Sequence, residues 1–416
     1  MIRPLRVALL SYRSKPHSGG QGIYVSNLAR SLTEIGHQVT IFSGQPYPEL
    51  DPGIELVKVP SLDLYRESDP FRIPRPREFR SPVDVLEFLT MATAGFPEPT
   101  TFSLRVAGLY RRLAQYDVVH DNQTLGWGSL VLQNRGIALV STIHHPITMD
   151  RRLDLQAATH WRRKVTLHRW YGFLRMQQLV ARRLQHIITV SQASALDIAR
   201  DFDVDPACIE VVPLGVQPEV FAEPDRARVT GRIVAMASAD SPLKGVRTLL
   251  EAIAKLRTER SVELIVVGRA TTGGPTATLV ETLGLGDSVR FVHGLSVDDL
   301  VNTVGSAQIA CVPSLYEGFS LPTLEAMSCG TPLVVSDAGA IPEVVGAPGL
   351  CADIVPAGDP DALAAALRSL LDDPHRRARM GAAGRHRAQT GFSWRTVAEA
   401  TTAVYERAIQ TARGSE

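Results

Sequence analysis

The sequence predicts an α/β chain of two domains, each a parallel sheet flanked by helices. Three observations predict it. Short apolar runs alternate with helical stretches along the chain, the pattern of buried parallel strands joined by crossover helices. A strand, glycine loop, helix and strand open the chain, and a similar unit returns in the second half. Between the halves, Pro213 to Arg228 is broken by Pro218 and Pro224 and reads as a hinge. A chain of 416 residues is long enough for about two or three domains.

Composition excludes several classes. Hydrophobic residues make up 44% and charged residues 21%, as expected of a soluble enzyme. A net charge of +1 gives no reason to expect nucleic-acid binding. Cys208, Cys311, Cys329 and Cys351 have no C-x-x-C spacing and no histidines at metal-ligand spacing, so they read as small apolar residues in a reducing, cytoplasmic setting with no bound metal. No apolar run reaches the length of a membrane span. The opening MIRPLRVALL reads as a first strand rather than a signal peptide, because its apolar run is only Val7 to Leu10.

In chain order, Arg6 to Leu10 is the first strand. The cluster Gly19-Gly20-Gln21-Gly22 follows, then a helix over Ile23 to Ile35 and a strand over His37 to Phe42. Such a loop places backbone N–H groups at a helix amino terminus, although its glycines do not match G-x-G-x-x-G. A plain loop also satisfies this spacing. Leu64 to Val85, with RIPRPREFRSP at its centre, reads as an irregular surface excursion. Strands over Tyr116 to Val119 and Ala138 to Thr142 lead to His120 and to His144-His145. Ligands collect at the carboxyl ends of parallel strands, so these histidines are better candidates than His160 or His168.

Residues 151–186 hold nine Arg or Lys and one acid, Asp154, together with Trp161, Trp170, Tyr171 and Phe173. The segment reads as helical. Such a helix suits either a solvated basic face or peripheral contact with the anionic inner face of a membrane. Ile187 to Val190 is the next strand, Ser191 caps a helix through Ala199, and Ile209 to Val212 is the last strand of the first half.

In the second half, Arg232 to Ala237 is a strand and Ser241-Pro242-Leu243-Lys244-Gly245 is a loop before a helix over Val246 to Leu256. A lysine beside a glycine in such a loop can meet a phosphate. Leu264 to Val267 and Val289 to Val292 are further strands, the second leading to His293-Gly294-Leu295-Ser296.

The most informative stretch is PSLYEGFSLPTLEAMSCGTPLVVSDAGAIPEVV, starting at Pro313. A strand over Gln308 to Val312 leads to the turn Glu317-Gly318-Phe319-Ser320-Leu321. A helix runs over Thr323 to Cys329, with Pro322 in its first turn and Gly330 as its stop. Free N–H groups and Gly318 make this turn an anion site. A carboxylate beside such a site would repel the phosphate, so Glu317 and Glu325 would face sugar hydroxyls. Two solvated glutamates on an ordinary turn satisfy the spacing as well.

This stretch resembles the E-x7-E motif of retaining glycosyltransferases of family 4, which have the GT-B fold. The block GGQGIYVSNLARSLTEIGHQVTIF, the ITVS…VVPLGV arrangement and Thr142-Ile143-His144 are also similar to that family. The resemblance implies two Rossmann-like β/α/β domains facing across a cleft. They would be residues 1–215 on the acceptor side, residues 216–393 on the donor side, and a helix over 394–416 returning to the first domain.

The resemblance also implies transfer of a hexose, with retention, from a UDP-sugar or GDP-mannose to a hydroxyl acceptor, with no cofactor. Glu317, His144 and Lys244 would carry catalysis. Gly19, Gly20, Lys244, Gly318, Phe319, Ser320 and Leu321 would meet the donor diphosphate, Glu325 the ribose, and Gly294 and Leu295 the nucleobase. The family pairs its lysine with an arginine about five residues earlier, where this chain reads Ala237-Ser238-Ala239-Asp240. Arg269 is the candidate replacement. The alternative is a nucleotide-sugar binder of the same fold that is non-catalytic or epimerase-like.

Overall fold

The apolar runs assemble into two parallel sheets in a computed structural model that describes residues 3–14, 20–66, 68–225 and 227–414. The first sheet holds β1 (Arg6–Ser11), β2 (Gln38–Ser43), β3 (Glu55–Lys58), β4 (Val118–Asn122), β5 (Leu139–Ile143), β6 (Ile187–Thr189) and β7 (Ile209–Val211). Their order is β3-β2-β1-β4-β5-β6-β7. The second sheet holds β8 (Val229–Met236), β9 (Glu263–Val267), β10 (Val289–Val292), β11 (Ala307–Val312), β12 (Leu333–Ser336) and β13 (Ala352–Val355). Their order is β10-β9-β8-β11-β12-β13.

All neighbouring strands are parallel, so each sheet needs helices on both faces to cover its apolar strands. Each sheet also starts in its middle. The chain leaves β1 toward β2 and later returns to β4 on the other side, and it treats β8, β9 and β11 in the same way. That reversal opens a crevice at the carboxyl ends of β1 and β4, and another at those of β8 and β11.

The chain divides into two units, Met1–Pro213 with Trp394–Glu416, and Leu214–Ser393. The first has its own core around Leu10, Phe42, Phe102, Val119 and Ile187. The second is built around Ile233, Leu249, Ile253, Val266 and Leu367.

The carboxyl-terminal helix Trp394–Gly414 belongs to the first unit and packs beside the helix Gly20–Glu34. Three histidines of the sheet layer tie it down. His37 accepts from the Leu5 N–H at Nδ1 (3.0 Å) and meets Thr402 Oγ1 through Nε2 at 2.9 Å. His120 bonds Tyr405 OH at 2.7 Å and Thr142 Oγ1 at 2.6 Å. His186 meets Thr411 Oγ1 at 3.0 Å.

Several sequence expectations change here. The 151–186 segment is three helices, Thr148–Ala157, Trp161–Trp170 and Leu174–Ala181, because the backbone is extended at Ala158 and His160 and tightens to a 3-10 turn over Tyr171–Phe173. The excursion after β3 ends at the helix Pro82–Ala92, whose Ser81 and Asp84 form a reciprocal cap. The helix Glu98–Gly108 follows. The helix over Pro374–Gly391 has only weak apolar periodicity and was not anticipated. His120 lies inside β4 rather than beyond its end, fully buried.

Burial pushes His120 down to about 3. Its folded pKa therefore lies below the unfolded value near 6.5. Its neutral form supports the fold above that unfolded value, and the support is lost as pH falls from there toward about 3. Urea titrations of the protein between pH 7 and pH 4 should show unfolding free energy falling, with His120 contributing up to about 1.4 kcal/mol per pH unit. His120→Gln removes this titrating group and should reduce that slope, while the buried His144 keeps part of it.

Candidate functional site

The turn after β11 builds the site in the second unit. Glu317 is nearly buried, and its Oε1 accepts from Lys244 Nζ at 2.8 Å and from Ser314 Oγ at 2.7 Å. Lys244 comes from the loop after β8 and Glu317 from the loop after β11, so the pair spans the second sheet's crevice. An ammonium has three donors, so Lys244 can hold Glu317 and still bond an anion.

Backbone contact fixes this pairing. Gly245 has φ +61°, and a Cβ there would lie 1.9 Å from the Pro313 carbonyl oxygen. Leu315 N–H donates to the Leu243 carbonyl at 2.7 Å. Behind the turn, Gly339 (φ +54°) would place a Cβ 2.2 Å from the Glu317 carbonyl oxygen, which accepts from the Ala340 N–H at 3.0 Å. Ser336 Oγ donates to the Ser314 carbonyl at 2.5 Å.

The helix after the turn is Leu321–Ser328, two residues earlier at its start than the sequence suggests. Ser320 precedes it at φ +86°, a left-handed conformation that costs a non-glycine residue about 1–3 kcal/mol. Its hydroxyl meets Thr323 Oγ1 at 2.8 Å, and Phe319 packs edge-on against Phe392. The first N–H groups of this helix have no intrahelical acceptor. At the other end, the Arg228 guanidinium donates to the Gly330 carbonyl at 2.8 Å and to Thr331 Oγ1 at 2.9 Å. Glu325 sits on this helix, half-buried, and desolvation pushes its carboxyl up to about 7.

The other donor-side candidates sit at the same edge without joining this cluster. Arg269 is exposed just past β9, Gly294 (φ +66°) is exposed past β10, and Leu295 is half-buried. Ala239 is buried, and its carbonyl accepts from Thr276 Oγ1 at 2.9 Å. Asp240 Oδ2 accepts from the Thr271 N–H at 2.7 Å. This stretch braces neighbouring loops and carries no cation.

In the first unit, His144 follows β5 and is held on three sides. Its N–H donates to Gln123 Oε1 (2.9 Å), its carbonyl accepts from Ser194 Oγ (3.1 Å), and Nε2 meets Asn122 Oδ1 at 2.9 Å. The Tyr24 ring stands edge-on to it at 4.7 Å. Burial pushes His144 down to about 3, with His145 and His120 adding to the shift. A neutral ring donating from Nε2 to Asn122 leaves Nδ1 as an acceptor.

His145 faces Asp150 at 3.0 Å instead. Gly20 opens the helix Gly20–Glu34, while Gly19 lies outside the described residues. The helix Trp161–Trp170 exposes Trp161 and Val165 among Arg162, Arg163 and Lys164.

Among the described residues no group of three His, Cys, Asp or Glu side chains could hold a metal ion, and no helix is long and apolar enough to cross a membrane. Sequence reasoning missed Ser314, Ser336, Gly339, Asn122 and Gln123. Ser314 and Gly339 lie inside the motif stretch, where a serine three residues before the first glutamate was the available signal. Asn122 and Gln123 had only their strand-end position to mark them.

Two doubly wound parallel sheets, each with a polar crevice at one edge, define the GT-B architecture. The structure matches sucrose-phosphate synthase from Thermosynechococcus elongatus with a TM-score of 0.74, at 23% identity over 98% of this chain and 100% of that one. It matches Anabaena HepE, solved with UDP and glucose, with a TM-score of 0.70, at 16% identity over 97% of this chain and 99% of that one. These likenesses concern the fold.

The model of Glycosyltransferase Family 4 matches residues 18–220, and that of Glycosyl transferases group 1 matches residues 220–387. An MMP alpha-(1->4)-mannosyltransferase of Mycolicibacterium hassiacum is 56% identical, covering 97% of this chain and 98% of its own length. A D-inositol 3-phosphate glycosyltransferase of Kineococcus radiotolerans is 30% identical, covering 97% and 96%. The chain belongs to glycosyltransferase family 4.

Gly245→Ala should destabilise the second unit. It needs a disfavoured left-handed residue and drives a Cβ into the Pro313 carbonyl. The expected loss is about 2 kcal/mol or more by denaturant unfolding. A stability equal to wild type would show that this approach is not a constraint.

Proposed function

We propose that this glycosyltransferase moves a mannosyl group from GDP-mannose to a glycan hydroxyl, with retention at the anomeric carbon. The observation that carries the reading is the Lys244–Glu317–Ser314 cluster on the turn, followed on the next helix by Glu325, a desolvated carboxyl. A carboxylate left there needs hydrogen-bond donors, and vicinal ribose hydroxyls supply two. The relative at 56% identity, named for α-(1→4)-mannosyl transfer, supports the sugar and the linkage class. The diphosphate of GDP-mannose is α-linked, so an α-product corresponds to retention.

On this reading the diphosphate lies against the N–H groups at Phe319, Ser320 and Leu321 and against Lys244, with Gly318 giving room for its approach. Glu317 accepts from hydroxyls of the sugar, Glu325 accepts from those of the ribose, and the loop at Gly294 and Leu295 meets the base. Two acids on one turn–helix segment, Glu317 in the turn and Glu325 in the helix, are poorly placed for a double displacement, in which carboxylates flank the bond. The reaction is a front-face substitution. The anomeric carbon loses its bond to the diphosphate oxygen and gains one to the acceptor oxygen on the same face, while the acceptor's proton passes to the departing diphosphate. The protein contributes position and charge stabilisation, and no separate base is required. Arg269 is the residue proposed to add the charge missing at Ala239.

Calorimetric titration with GDP and UDP, followed by turnover of GDP-mannose, tests the reading. GDP should bind in preference to UDP, and mannose should be transferred. UDP preference or absence of turnover would sink it.

Glu325→Ala should weaken donor binding by roughly 1.5–3 kcal/mol, the scale of a hydrogen bond to a charged group. Wild-type affinity should also depend on pH. Ribose donors favour the charged form, so affinity should rise as pH increases toward about 7 and then level. Proton release on binding should be visible from buffer-dependent heats. Glu325→Gln should abolish both dependences, and their persistence would place the titrating group elsewhere.

A further inference from the structure

The linker after β7 reads as a hinge in the sequence, yet its second half is fastened to two helices of the second unit, Val297–Ser306 and Leu321–Ser328. Phe221 offers its carbonyl to Ser328 Oγ at 2.7 Å. Pro224 fills the place where Gly305 has no side chain, since a Cβ there would lie 2.2 Å from the proline ring. Glu223 pairs at 2.8 Å with Arg385, on the helix Pro374–Gly391.

Arg228 ends this strap. Its Nη1 donates to the Gly305 carbonyl at 2.8 Å, to the Ala307 carbonyl at 2.9 Å and to Thr331 Oγ1 at 2.9 Å. Its Nη2 reaches the Gly330 carbonyl at 2.8 Å and the Cys329 carbonyl at 3.4 Å. All five acceptors belong to buried residues. One guanidinium therefore closes the carboxyl ends of both helices, where the last carbonyls have no intrahelical donor. Both helix ends carry partial negative charge, and Glu223 at 3.8 Å adds a full one. Together they offset the desolvation that pushes the guanidinium's pKa down.

This closure reaches the candidate donor site one turn further in. Glu325 stands on the helix Leu321–Ser328, and its carbonyl accepts from the Cys329 N–H at 3.0 Å. Burial, with the Glu325 charge next, pushes the Cys329 thiol up, so the two side chains are neighbours. The other charged groups at this end are Arg228 and Glu223 on the linker and Arg385 on the helix Pro374–Gly391. None of them shifts Glu325, whose carboxyl is raised by desolvation alone. What sets its state is the exclusion of water. Without the guanidinium, five buried acceptors would need water in its place, and that water would hydrate Glu325 as well.

We propose that Arg228 is a positioning residue for the donor nucleotide: by binding the linker to the carboxyl ends of both helices, it fixes where Glu325 stands and keeps water from it. The proposal rests on the donor reading of Glu325 and adds the residue that holds it.

Arg228→Ala and Arg228→Lys test it, by calorimetric titration of the full chain with GDP and with UDP between pH 5 and pH 8, beside urea unfolding of each variant. Lysine keeps the charge but has a single donor centre, so it cannot span both helix ends. Both variants should bind the preferred nucleotide about tenfold more weakly at pH 8, the ratio given by 1.4 kcal/mol. The pH at which affinity levels should also move from about 7 toward the ordinary glutamate value of 4.5. If Arg228→Ala does not fold, Arg228→Lys carries the test. Lower stability with wild-type affinity and an unmoved pH profile would overturn the proposal, because the strap would then serve the fold alone. Wild-type binding without any pH dependence would instead remove the ribose role of Glu325. In that case the tenfold loss in the variants would still sustain the role of Arg228, and unchanged affinity would overturn it. If the wild type bound neither nucleotide, the donor reading and this proposal would fall together.

Discussion

Parallel pairing is the constraint from which the rest of the structure follows. A parallel strand cannot return through a tight turn, so each strand in these sheets is followed by a crossover that brings the chain back to the same starting edge. All loops after strands therefore leave from one edge, where polar groups need not be buried beneath helices. Lys244 follows β8, Arg269 follows β9, Gly294 follows β10 and Glu317 follows β11. Residues far apart in sequence meet there because the topology leaves them no other edge. The reversal of winding at β8 and β11 then keeps the crevice between those strands free of a crossover.

Within that crevice two kinds of order coexist. Lys244 and Glu317 are fixed by backbone contacts at Gly245 and Gly339 that admit no side chain. Their geometry is complete without a ligand, as preorganised electrostatics require. Glu325 is the opposite case: its carboxyl is withdrawn from water, and its raised pKa records the missing compensation. Part of the candidate site is finished by folding, and on the proposed reading the rest would be finished by binding. In the first unit, taken by itself, His144 has Nε2 occupied by Asn122 and Nδ1 open to accept.

The sequence was legible where period and chemistry coincide. Val7 to Leu10, Leu264 to Val267 and Gln308 to Val312 are apolar because both sheet faces are covered, and such runs are visible without coordinates. The glutamate pair was legible because its spacing, its proline and its glycines describe one turn. The Pro374–Gly391 helix was hidden because arginines and glycines occupy most of it and few of its residues face the core. The Ser81–Asp84 cap was obscured by the Arg- and Pro-rich run before it. Among the site residues, Asn122 and Gln123 act by hydrogen bonds to His144 on another loop, and no local period marks such bonds. His120 was weighed as a site residue because strand-end position was the criterion. A shift of the strand by a few residues placed it in the core, bonded to Tyr405.

The missing arginine follows the same logic. Lys244 and Glu317 cancel as a pair, so on the proposed reading a diphosphate would meet little net positive charge at the crevice. What remains is the helix amino terminus at Leu321, the spare donors of Lys244, and the state of Glu325. A carboxyl with a pKa near 7 is partly neutral in the empty site and adds less repulsion than an ordinary glutamate would. On the proposed reading it would ionise against hydroxyl donors once the nucleotide is seated, with the diphosphate charge held by N–H groups. On the proposed reading, the desolvation of Glu325 offsets part of what Ala239 does not supply. On the same reading Arg269, exposed after the strand next to β8, is the side chain proposed to add charge there.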